Sequence, residues 1–320
     1  MTSRGQFVIS LDFELHWGVR DHTSVERYRD NLLGVRQVVP ALLSRFKQRE
    51  VHATWATVGL LFAKSKAEAL RHAPLMRPAY SNAALDPYRE LEEAGTSEQE
   101  DPFHFAGSLV EQIHVTPNQE LATHTYSHFY CLEAGPTVND FAADLDAAKA
   151  IGAPFGAVTN SIVFPRNQYS DAHLEALAKA GTVAFRGNPD SWLWKSGASE
   201  DQTRPRRALR LVDSYAGLPR LARVKRHASG VVDVPGTRFL RPWTPSFAKL
   251  EPLKRLRLKQ ELTHAAREGG LFHLWWHPHN FGKHLKENLD LLDAVLDVFD
   301  EVRARYGMQS LTMREAAALA

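Results

Sequence analysis

Short apolar runs alternate with amphipathic segments along most of this chain. FVISLDF (7–13), ATWATVGLLF (53–62), ELATHT (120–125), SIVFPR (161–166), TVAFRG (182–187), GVVDVPG (230–236) and LFHLWWH (271–277) read as strands. Between them, 31–49, 137–151, 171–180 and 285–305 place apolar residues at helical spacing. Repeated strand–helix alternation predicts a parallel sheet, and seven or so units point to a closed or nearly closed barrel. Catalytic residues of such barrels collect at the C-terminal ends of the strands.

Two stretches break the rhythm. Residues 64–118 are polar and include ELEEAGTSEQED (90–101), too long for a connector, so they read as an excursion over one face. The segment 204–226 is basic but lacks interleaved aromatics and any nucleic-acid module, so no nucleic-acid partner is expected. It reads first as a solvated face and second as a patch for an anionic substrate. Its interspersed Leu and Val leave room for shallow contact with an anionic membrane surface.

Composition adds little beyond a soluble globular class: 320 residues, 44% hydrophobic, 24% charged, net charge +2. The one cysteine, Cys131, excludes an intramolecular disulfide and reads as a small packed residue. No apolar run approaches the ~20 residues of a transmembrane span. The N-terminus lacks the pattern of a secretory signal, so a cytoplasmic location is expected. The 15 histidines, several of them clustered, change the picture more.

In ELATHTYSHFY (120–130), His124 and His128 stand four apart. That spacing sets two imidazoles on one side of a helical turn or round a tight loop after a strand, as metal ligands require. It also arises by chance on solvated helix faces. No Glu follows the first His, which argues against the HExxH metalloproteases. In SLDFELHWG (10–18), strand alternation turns Asp12 and Glu14 the same way. Two such carboxylates are costly to bury without a metal or partner, unless they merely cap the rim. In FHLWWHPHNFG (272–282), His277 falls at a strand end, where a general acid would stand; His279 and Asn280 are candidate substrate contacts.

Taken together, LDFE, HTYSH, FPRNQY and LWWHP occur in the order of the motifs of the polysaccharide deacetylase, or NodB-homology, family of carbohydrate esterases, which the chain resembles. ATWATVG (53–59) is similar to that family's second strand, and 64–118 is unmatched. The resemblance implies a distorted (β/α)7-type barrel spanning 1–320, with a polar insertion after the second strand. It implies hydrolysis of an N-acyl group, usually N-acetyl, from an amino sugar in surface-glycan biosynthesis. By position, Glu14, His124 and His128 would bind one divalent metal: zinc, with cobalt or nickel as alternatives. Asp12 would be the base, His277 the acid, and Arg166 would hold Asp12 ionised.

The pattern departs from the family's in three places. Phe13 separates the two acids, the second of which is Glu; Pro165-Arg166-Asn167-Gln168-Tyr169 replaces the usual Arg-x-Pro-Tyr; and Asp190 stands in for a fourth-motif acid. Trp17, Tyr169 and Trp276 are candidate sugar contacts, with Trp275 assigned to the core. The expected partner is an N-acetylated sugar or glycan, free or linked to a nucleotide or lipid carrier. A deformylase or other C–N hydrolase on the same barrel, and an inactive glycan-binding protein, are the competing readings.

Overall fold

The computed structural model describes residues 4–189, 193, 204–216 and 220–320. Strand β1 (Gln6–Phe13) lies at the centre of a curled sheet. It pairs in parallel with β2 (Ala53–Thr57) on one side and β9 (Leu271–Trp276) on the other. Beyond β2 follow β3 (Gln119–Thr123), β4 (Ser161–Ile162), β5 (Ala184–Phe185) and β7 (Val232–Asp233), all parallel; the hairpin strand β6 (Lys225–Arg226) is antiparallel to β7. β8 (Arg238–Phe239) pairs with β9, and β10 (Gln309–Leu311) with the start of β1.

One segment brings the two edges together. Val232, Val234 and Gly236 donate backbone N–H to Val183, Phe185 and Gly187, and then Thr237 and Leu240 donate to His273 and Trp275. Residues 232–240 therefore bond to β5 first and β9 next, giving the distorted barrel that the alternation predicts. β4 and β5 are shorter than predicted; after β4 the chain turns away at Pro165, which has no N–H to extend a ladder.

The period of two along β1 divides two environments. Phe7, Ile9, Leu11 and Phe13 point outward into the main core, with the apolar stripe Leu32, Val35, Val39, Leu42 and Phe46 of helix α1 (Val25–Gln48). Val8 packs in a second cluster with Val163, Val232 and Met313, so the C-terminal helix Met313–Ala318 plugs one end. Ser10, Asp12 and Glu14 continue that inner face toward the opposite end. Among the described residues, no helix is long and apolar enough to cross a membrane.

The excursion at 64–118 holds three helices: Lys66–His72, Pro87–Glu93 and Gly107–Val115. Its apolar residues contribute to the core. Leu91, Phe105, Val110 and Ile113 are fully buried in the main core.

Candidate active site

β1 ends at Phe13, and Leu15 adopts a left-handed φ of 47° that turns the chain into a 3-10 turn, Leu15–Gly18. Glu14 is thereby aimed into the barrel mouth over Gly18. A Cβ at Gly18 would lie 1.9 Å from the Glu14 Cδ, so the carboxyl can take this position only over a glycine.

His124 follows the last residue of β3, and His128 closes a non-helical loop. The pair is thus of the loop kind. Thr125 (φ 64°) and His128 (φ 58°) are both left-handed, a costly conformation for a β-branched residue. The loop is over-determined. Gly59 and Leu60 donate N–H to the carbonyls of Thr125 and Tyr126, Thr125 Oγ1 accepts from Phe129 N at 2.7 Å, and buried Asp144 accepts from Tyr126 N at 2.6 Å. Asp144 comes from a helix, Val138–Gly152, started by a Thr137–Asp140 capping box.

Glu14, His124 and His128 converge as expected. Glu14 Oε2 is 3.0 Å from His128 Nε2 and 3.3 Å from His124 Nε2, and all three residues are buried. His124 donates Nδ1–H to the Val163 carbonyl at 2.7 Å, which leaves the Nε2 lone pair facing inward. Burial pushes His128 down to about 3, against the pull of Glu14, so its imidazole is neutral. Burial opposes ionisation of Glu14, but neighbouring His277 and contacts from His124 and His128 hold the carboxyl well below its ordinary value. Two imidazoles and a carboxylate are a zinc-type donor set, so the residues fit a divalent ion.

Asp12 stands beside this trio. Burial alone would raise its pKa; the Arg186 guanidinium, aided by His277, overcomes that and keeps it lowered. Arg186 is fully buried and bidentate, NH1 to Oδ1 at 2.6 Å and NH2 to Oδ2 at 2.8 Å. It also donates to Ser10 Oγ and Asn167 Oδ1, both at 3.0 Å. This is the contact expected of Arg166, and the structure gives it to Arg186. Arg166 instead reaches outward to Asp21 and lies over the Tyr130 ring at 4.3 Å, because its left-handed φ of 54° turns it toward the rim. TVAFRG could have revealed Arg186: it ends a strand on the same inward parity that identified Asp12.

His277 takes the expected place at the end of β9. Its Nε2 is 3.6 Å from both Asp12 Oδ2 and Glu14 Oε1, and its side chain is 24% exposed, so it faces both the acids and solvent. Asn280 Nδ2 lies 3.2 Å from His277 Nδ1, and the Tyr28 hydroxyl donates to Asn280 Oδ1 at 3.3 Å. That chain holds the ring with Nε2 toward the two carboxylates.

The substrate contacts need revision. Trp17 and Trp276 are fully buried and offer no stacking surface; Trp17 donates to His104 O, and Trp276 stacks on Phe281. Alternation along β9 sends Trp275 inward with His277. Half-buried, it lies over Arg186 at 4.2 Å and lines a cleft with Asn167, Asn188, Thr237 and Phe239. Tyr169 is half-buried with its hydroxyl near Asn188 N. His279 is buried behind His277, rings 5.1 Å apart, and Asn280 serves His277 as described. Cys131 is buried in an aromatic cluster. Asp190 lies outside the described residues.

The sequence matches no family model and no curated protein. Solved structures do resemble it. A protein from Mycobacterium smegmatis assigned as a polysaccharide deacetylase superposes with a TM-score of 0.61 at 15% identity, over 99% of this chain and 90% of that one. A second protein so assigned, from Pseudomonas aeruginosa, gives 0.51 at 12%, over 98% and 89%. A 4-alpha-glucanotransferase from Thermococcus litoralis gives 0.52 at 10%, over 99% of this chain and 40% of that one. The chain has the fold that these solved structures share.

Proposed function

We propose that this chain is a metal-dependent hydrolase that removes an N-acetyl group from an amino sugar or glycan. The observation that carries the reading is the packing of Glu14, His124 and His128 against an Arg186-paired Asp12, with the His277 Nε2 3.6 Å from both carboxylates. Glu14, His124 and His128 would hold the ion, zinc by donor set, which supplies a Lewis acid for the amide carbonyl and for water.

The chain's own residues do the proton work. Asp12, held ionised by Arg186, accepts a proton from the attacking water as its oxygen bonds to the acyl carbon. His277, as the imidazolium, gives its Nε2 proton to the amide nitrogen as the C–N bond breaks and is left neutral, with acetate and a free amine as products. Each transfer of this kind contributes about 10²–10⁴-fold. Trp275 and Phe239 offer aromatic surface for a pyranose ring beside the reacting groups. A glycan of surface biosynthesis, with or without a nucleotide or lipid carrier, is the substrate class this reading favours.

Acetate release from N-acetylglucosamine oligomers, with metal content measured in parallel, tests the proposal. Wild type should release acetate; His124→Ala should lose that ion and activity together. Asp12→Asn should keep the ion and lose at least ~10²-fold in kcat. Retention of activity after removal of both Asp12 and His277 would overturn the assignment.

A further inference from the structure

A second convergence of metal-type ligands lies outside this centre. His16 sits two residues beyond Glu14, Glu90 is on the helix Pro87–Glu93, and His104 is in the loop before Gly107–Val115. His16 Nδ1 is 2.7 Å from Glu90 Oε1, His104 Nε2 is 2.9 Å from the same oxygen, and the two nitrogens are 3.1 Å apart. The outer nitrogens are already committed as donors: His16 Nε2 to the Thr23 carbonyl at 3.1 Å, His104 Nδ1 to Asp101 Oδ2 at 2.8 Å. Both inner nitrogens therefore face each other and one carboxylate oxygen. Such an arrangement calls for a cation at its centre.

We infer that His16, Glu90 and His104 form a second divalent-metal site, of zinc type, that clamps the 64–118 insertion to the turn carrying Glu14. Three atoms so spaced lie on a circle of radius about 1.7 Å, so an ion ~2.0–2.1 Å from each sits about 1 Å out of their plane. The Asp101–His104 contact is the carboxylate–histidine support that orients zinc ligands and raises their basicity. Both histidines are buried, while the Glu90 side chain is 26% exposed, which gives an ion an entry side. The clamp would reinforce contacts already present: His16 N to Phe103 O at 3.2 Å, and Trp17 Nε1 to His104 O at 2.9 Å.

The full-length protein, stripped with chelator and titrated with cobalt(II) chloride, tests this by visible absorption and by metal analysis. Two equivalents are expected in wild type, one in Glu90→Gln, one in His124→Ala, and none in the double variant. One ion lost in Glu90→Gln and kept in His124→Ala would uphold this site and remove the catalytic one. Equal stoichiometry in wild type and Glu90→Gln would overturn it, leaving a hydrogen-bonded cluster. Should Glu90→Gln fail to fold by circular dichroism, Asp101→Asn decides. Its second ion should bind ~10–100-fold more weakly with the first unchanged, and unchanged affinity for both would overturn the inference.

Discussion

At the scale of single residues, the site depends most on Arg186. It is the sole basic side chain among the described residues to contact Asp12 within a salt-bridge distance, histidine aside, and both partners are buried. Asp12 has a folded pKa below its ordinary value of 3.8, so its pairing stabilises the fold above that pH. The contribution is lost as pH falls through the lower folded value. Arg186→Ala leaves burial opposed by the neighbouring histidines alone and should reverse the shift. The acid limb of kcat/KM should move to higher pH, and unfolding in urea should show a loss of about 3–5 kcal/mol near neutrality. Arg166→Ala should leave that limb in place. The sequence singled out Asp12, Glu14, His124 and His277 because each has the right chemistry at or beside a strand end, and His128 by its spacing from His124. Assigning the arginine required knowing which of two loops turns inward. Left-handed φ at Arg166 and Asn167 decides that, and no local pattern in FPRNQY announces it.

At the scale of elements, two turns hold the ligands, and each has a separable weakness. Glu14 rests over Gly18 where a methyl group would fit only by pushing the carboxyl aside. The end of a side chain moves more readily than backbone, so Gly18→Ala should fold normally and bind zinc at least ~10-fold more weakly in a competition titration. The His124–His128 loop hangs on Asp144, whose pKa burial raises from 3.8 to about 7 despite donors from Tyr126 and Ser127. Between those values the unfolded chain binds fewer protons than the folded one. Stability should therefore fall as pH rises from about 4 to 7, by up to ~4 kcal/mol from this group. Asp144→Asn should flatten that slope in urea melts at successive pH values, and an unchanged slope would place its origin elsewhere. The long helices and the central strands were legible because their apolar period is clean. The helix Glu251–Arg267 was not, since Lys254, Arg257 and Glu261 occupy its buried face, held by Glu251 and Arg238. Charges paired across elements erase the hydropathy contrast on which periodicity depends. The helices of 64–118 are seven to nine residues long, too short to display a period.

At the scale of the whole molecule, the polar composition of 64–118 suggested an excursion over one face, and its buried side chains join the main core. Tyr88, Leu91, Phe105 and Ile113 pack in the same cluster as Phe7 and Ile9 of β1, Leu42 of α1 and Phe299 of the long helix Leu285–Tyr306. If the insertion is part of the barrel's cooperative unit, damage within it must be felt by strands it never enters. Leu91→Ala should remove about 2–5 kcal/mol, a buried leucine being traded for a cavity. Trp17, Trp55 and Trp276, buried on the turn after β1, on β2 and on β9, report the barrel by fluorescence, while far-UV circular dichroism reports mainly the helices. In metal-free protein, where ion binding adds nothing by mass action, the two transitions should coincide and shift together in Leu91→Ala. A satellite insertion would give an early dichroism step with an unmoved tryptophan transition. The fully buried Leu91 and Ile113 argue for the first outcome, since surface of that kind left open at 64–118 would also uncover β1 and α1.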